Sequence, residues 1–154
     1  MKADEDLDEE DKQLFNEEIK QEEEVQVSVS EVIGMLFKTH KEMTLPLAHY
    51  IISSILPNVL KEGQSENTYK FAIFLIDDMV EHLGYERLQD NWVNFSTILV
   101  NFTREKNCEL RQAACYGLGV LAERTPNSIS TTETIEGWLH CLINSSKIPK
   151  GGEK

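Results

Sequence analysis

Three short segments of this chain begin 41 residues apart: Val29-Ser30-Glu31-Val32-Ile33, Lys70-Phe71-Ala72-Ile73-Phe74 and Arg111-Gln112-Ala113-Ala114-Cys115. Each lies in a stretch whose apolar residues recur at helical spacing, and no strand pattern competes with them. Helix pairs repeated at about 40 residues bury their apolar faces only by stacking on their neighbours. A bundle around a single core gives no reason for a fixed interval. The repeat therefore predicts an all-α solenoid of about three helix pairs.

Local signals place the helices within that frame. The first runs from about Gln13 to the region of Thr39 to Lys41, with Leu14, Phe15, Ile19, Val25, Val29, Val32, Ile33, Leu36 and Phe37 at inward spacing. It is continuous, or bent near the Glu22-Glu23-Glu24 run. Leu45-Pro46 opens the second, with proline suited to a first turn. Its stripe is Leu47, Tyr50, Ile51, Ile55, Leu56, Val59 and Leu60; Pro57 should bend or shorten it, and Gly63 should end it. Ser65 reads as the N-cap of the third helix, which Gly84 stops. A fourth helix spans about Leu88 to Thr103 with Trp92, Val93, Phe95, Ile98, Leu99 and Phe102. Asn107 caps the fifth, which reaches about Arg124. Ser130-x-x-Glu133 reads as a capping box for a sixth, with Ile135, Trp138, Leu139, Leu142 and Ile143 turned inward.

Charge divides the chain further. Residues 1–24 carry 12 acids against 3 lysines, whereas the remainder carries 15 acids against 12 basic residues. Residues 1–12 are too acidic and too poor in apolar side chains to pack, so a disordered acidic end is expected there. The repeat segment is expected over 13–146 and a flexible tail over 147–154. The net charge of -12 and pI near 4.7 argue against direct nucleic-acid binding, which needs a basic surface. No apolar run approaches the ~18 residues of a membrane span, and no secretory signal opens the chain. Three cysteines, Cys108, Cys115 and Cys141, sit in apolar helical patterns and are expected as buried, reduced thiols.

The run Asn107-Cys108-Glu109-Leu110-Arg111-Gln112-Ala113-Ala114-Cys115-Tyr116-Gly117-Leu118-Gly119-Val120-Leu121-Ala122 resembles the second helix of a HEAT repeat. Small residues at 113, 114, 117 and 119 suit close helix approach. Together with Phe71-Ala72-Ile73-Phe74-Leu75-Ile76-Asp77-Asp78-Met79-Val80-Glu81-His82, it resembles the importin-beta superfamily of nuclear transport receptors, in particular the importin-five or Ran-binding-protein-five class. The resemblance covers roughly 14–124 and is strongest over 71–122. It implies a HEAT-repeat piece from the C-terminal half of a longer solenoid, working in the cytoplasm and nucleus. The partners it implies are cargo proteins with basic signals, the Ran GTPase and phenylalanine-glycine nucleoporins. It also implies an inter-repeat polar ladder, to which Arg111, and Lys70 one repeat earlier, are assigned. A HEAT scaffold of another protein complex is the alternative.

Chemistry of other kinds finds no support in the residues. The four histidines and three cysteines lack zinc-ligand spacing, Gly117-x-Gly119 lies within a helix, and no nucleophile occupies a known signature. No catalytic residue, metal or cofactor is assigned, and binding rather than catalysis is expected. Asp77 and Asp78 point about 100° apart on a helix, so they do not converge on one substrate atom. Asp77 and Glu81 share a face with Asp78 beside them. The plain reading is a solvated acidic face; the reading implied by the resemblance is a cargo-binding surface at Asp77, Asp78 and Glu81. Either way the three are expected to be exposed. The sixth helix is expected to expose Trp138, Leu142 and Ile143 where a following helix is missing, and so to promote self-association.

Overall fold

The computed structural model describes residues 9–149. Among them there is no strand, and the helices run α1 (Glu9–Thr39), α2 (Leu45–Tyr50), α3 (Leu56–Val59), α4 (Glu66–His82), α5 (Tyr85–Leu88), α6 (Trp92–Phe102), α7 (Cys108–Arg124) and α8 (Thr132–Ser146). α4 packs against α1 on one side and α7 on the other, while α3 leans on α4, and α6 and α8 on α7. The helices that carry the 41-residue repeat therefore form one layer, α1–α4–α7. This is the all-α, HEAT-type stacking that the interval predicts.

The helix ends follow local chemistry. Ser65 Oγ accepts the Thr68 N–H at 3.1 Å, and Asn107 Oδ1 accepts those of Glu109 and Leu110 at 2.9 and 3.2 Å. Each satisfies donors that a helix start leaves free. Gly63 and Gly84 turn the chain at φ +87° and +75°, a region that side chains disfavour. Pro57 has no N–H to offer the Ser53 carbonyl, and Ile51–Ile55 just before it opens into a π turn. Phe37, Ile73, Leu75, Ile76, Met79, Phe95, Leu99, Leu118 and Leu121 are fully buried. Each such side chain contributes roughly 1.5–3 kcal/mol relative to exposure.

Polar contacts between repeats span intervals close to 41 residues. Asn107 Nδ2 donates to Glu66 Oε2 at 2.6 Å across 41 residues, Trp138 Nε1 to Ser96 Oγ at 3.0 Å across 42, and Lys70 Nζ to Glu109 Oε2 at 2.6 Å across 39. Asn67 donates to Glu23 in the same fashion. Equivalent positions meet because each repeat is the previous one displaced.

Several expectations about which face is inward are corrected. α1 begins at Glu9 and is one continuous helix, yet Leu14, Phe15, Ile19, Val25, Val29, Val32 and Leu36 are exposed; of the apolar residues expected inward, Phe37 alone is fully buried and Ile33 half-buried. Glu23 of α1 already reaches Asn67 of α4, and the buried positions of α1, Ser30, Gly34 and Phe37, all follow it. Tyr50 and Val93 are exposed as well. α8 is capped by Thr131, whose Oγ1 accepts the Thr134 N–H at 3.1 Å, one residue beyond the expected Ser130. Trp138 is not exposed but 9% accessible, held by its bond to Ser96, and Leu142 is half-buried. Ile135 and Leu139 face out with Ile143. Cys108 is exposed, and Cys115 and Cys141 are half-buried; all three are free thiols. The acidic residues 1–8 and the tail residues 150–154 lie outside the described residues.

Candidate functional site

The second-helix layer carries an open groove of about 860 Å³ across three repeats. α1 contributes Val27, Ser30, Glu31, Gly34, Met35 and Lys38. α7 contributes Glu109, Gln112, Ala113 and Tyr116, at positions 82 residues, or two repeats, beyond 27, 30, 31 and 34. α4 runs along the middle with Lys70, Phe74, Asp77, Asp78, Glu81 and His82. Spacings of three and four residues bring each set to one helix face.

Asp77 and Asp78 diverge as adjacent helical residues must, and each meets a glycine of a different neighbour. A Cβ at Gly117 of α7 would stand 1.8 Å from Asp77 Oδ1, and a Cβ at Gly34 of α1 would stand 2.4 Å from Asp78 Oδ2. No side chain larger than hydrogen fits at either point without displacement. Leu99 Cδ2 closes the Gly117 site from behind, at 3.0 Å from that Cβ position. The solvated face expected of Asp77 is thus overturned: it is 5% exposed, and its Oδ1 is buried without a hydrogen-bond partner. Asp78 keeps 28% of its side chain exposed, and Glu81 is half-exposed.

Burial and mutual repulsion set the electrostatics. Loss of hydration, then the charges of Asp78 and Glu81, raise the Asp77 carboxyl well above the ordinary carboxylate range. Asp78 is raised to about 6, chiefly by desolvation and then by Glu81. His82, 3.8 Å from Asp78, is held below its usual value, first by desolvation, so it adds little positive charge at neutral pH. The Tyr116 hydroxyl donates to Glu81 Oε2 at 2.9 Å, and this bond is the main reason its own titration is raised. The groove floor is therefore acidic, walled by Val27, Met35, Phe74 and Tyr116, with Lys38 and Lys70 along it.

The two ladder residues make separate contacts between repeats. Lys70 pairs with Glu109 on α7, and this pairing holds the Glu109 carboxylate below its ordinary value. Arg111 is buried and donates to the carbonyls of Glu105 and Lys106, both at 2.8 Å, and more weakly to Ile148 at 3.4 Å. It ties the α6–α7 turn to the segment after α8. Ala113, Ala114 and Gly117 sit at the close approaches expected of them, but nothing lies within 4 Å of where a Gly119 side chain would begin.

Sequence reasoning missed Gly34, Phe74 and Tyr116 as parts of the groove. A glycine inside a helix costs up to about 1 kcal/mol relative to alanine, so Gly34 was a signal that something approaches closely. Nothing in the sequence said that the approaching group is a carboxylate. Among the described residues no cluster of three or more His, Cys, Asp or Glu is placed to hold a metal, and no helix is long and apolar enough to cross a membrane.

One comparison with known proteins bears on the identity of the array. Residues 1–61, which include α1, α2 and α3, match a family described as importin repeat 6. The likeness over 71–122 rests on different residues, those of α4 and α7. The family match supports an importin-type, or karyopherin-type, HEAT-repeat protein.

Proposed function

We propose that this chain is part of a nuclear import receptor of the importin-five class, and that the α1–α4–α7 groove receives a basic segment of its cargo. The observation that carries the reading is the groove itself. Asp78 and Glu81 present their carboxylates at the centre of the α1–α4–α7 layer, with Asp77 buried in the seam beside them, between apolar walls that suit the aliphatic stems of lysine or arginine. Ran GTPase and phenylalanine-glycine nucleoporins are proposed as partners of the longer array, working between cytoplasm and nucleus.

An exposed ion pair contributes only about 0.2–1 kcal/mol, so several acids must act together to hold a partner. Screening limits their reach to about 8 Å at physiological ionic strength. A synthetic lysine-rich peptide, followed by fluorescence anisotropy, should bind the 154-residue chain more weakly as salt rises. Asp78→Lys with Glu81→Lys should reduce that affinity at least several-fold. Equal affinity in a folded charge-reversed variant would remove the groove from the reading. In the full-length protein, cargo binding that ignores Ran loaded with a GTP analogue would favour a HEAT scaffold of another complex.

A further inference from the structure

The acids on the groove floor do more than present charge. Asp77 is wedged into the α4–α7 seam against Gly117, and Asp78 into the α1–α4 seam against Gly34. An ionised carboxylate with a buried, unpartnered oxygen is strongly disfavoured, because nothing replaces its lost hydration. A neutral carboxylic acid tolerates that position far better. We propose that Asp77 and Asp78 form a proton-operated latch across three successive repeats, in which a basic side chain entering the groove expels a proton to solvent and loosens both seams.

The groups facing the pair are consistent with a proton held in the empty groove. α4 itself supplies Glu81 and His82, the first an added negative charge and the second held below its usual pKa. α1 supplies Glu31 and Lys38, and α7 supplies Glu109 and Tyr116. The Lys70 ammonium is engaged by Glu109, and the Tyr116 hydroxyl by Glu81, so neither is turned to Asp77 Oδ1. Lys41, Arg87 and Arg124 line a neighbouring cavity that shares Lys38, Glu81 and His82 with the groove. A cation entering from solvent supplies the opposite charge at the floor and favours the ionised pair. The proton then leaves to buffer, and partner affinity rises with pH as the pair loses it.

This inference rests on the basic-partner reading, and two experiments separate them. Titration calorimetry of the lysine-rich peptide into the chain near pH 6.5 is run in two buffers of different ionisation heat. The latch predicts a buffer-dependent heat corresponding to proton release, reduced in Asp77→Asn and in Asp78→Asn and lost when the two are combined. Binding with the same heat in both buffers overturns the latch and leaves the function standing. Absence of peptide binding sinks the proposed function, and infrared spectroscopy of the free chain then decides the latch alone. The carbonyl stretch of a neutral carboxylic acid should be present at neutral pH and missing in Asp77→Asn. Its absence from the wild-type spectrum overturns the latch; should Asp77→Asn fail to fold, Asp78→Asn near pH 5.5 should weaken the band without abolishing it, and an unchanged band overturns the latch.

Discussion

The two seams flanking α4 use one device under different degrees of burial. At α4–α7, Asp77 meets Gly117 with Leu99 behind it and almost no solvent; at α1–α4, Asp78 meets Gly34 with a quarter or more of its side chain in water. The first seam adds the Lys70–Glu109, Asn107–Glu66 and Tyr116–Glu81 contacts. The second has Asn67 on Glu23, alongside an α1 whose Leu14, Phe15 and Val25 remain exposed. A carboxylate at a helix crossing is therefore not one environment. Where it keeps some solvent, as Asp78 does, its titration rises only to about 6, and where it keeps almost none, as at Asp77, it becomes part of the packing.

Substituting the glycines should give the largest contrast. Gly117→Ala should destabilise by about 1–3 kcal/mol, the usual cost of overpacking, even after the helix-propensity gain of alanine. Gly34→Ala should fall within about 1 kcal/mol of wild type, because Asp78 can rotate into solvent. Urea titrations of both variants measure this, and equal losses would make the seams equivalent. Asp77→Ala combined with Gly117→Ala should then recover part of the loss, with a coupling of about 0.5–3 kcal/mol. Strict additivity would mean that the two groups do not meet.

pH sharpens the same comparison with a smaller effect. Both carboxyls are raised on folding, so the folded chain holds protons that the unfolded chain has lost. Their contribution is thus most favourable below the unfolded value of about 3.9 and declines as pH rises through the folded values. For Asp78 the decline should finish just above its value of about 6, whereas for Asp77 it should continue further. Asp78→Asn should therefore flatten the slope near pH 4–6 in denaturant titrations, and Asp77→Asn should flatten it at higher pH as well. Interchanged profiles would reverse the burial argument. Smallest of all, Phe15→Ser on the exposed part of α1 should change stability by no more than about 0.5 kcal/mol. A larger loss would show that α1 is covered.

Much of this was legible in the sequence because it is local or periodic. Ser65 and Asn107 cap backbone N–H groups two or three residues away, Gly63 and Gly84 turn their own backbone, and the 41-residue interval required equivalent helices to meet. Facing was less legible. Leu14 to Val32 keep helical spacing, but spacing states only that a helix has an apolar side and not what covers it. Trp138 looked like an exposed end residue, since Ser96, the partner of its indole N–H, comes from an earlier repeat. Asp77 was misread for a related reason. An acid on a helix face meets water or a neighbouring helix according to a glycine 40 residues away, and single-helix periodicity carries no information about that.

In the proposed function a basic partner lies in the acidic groove built by three repeats. Amide chemical-shift mapping of the 154-residue chain with the lysine-rich peptide tests it most directly. Shifts should concentrate at Gly34, Phe74, Asp77, Asp78, Tyr116 and Gly117 and fade together as salt is raised. Shifts centred on the exposed apolar residues of α1 or α8, with the groove unmoved, would contradict it.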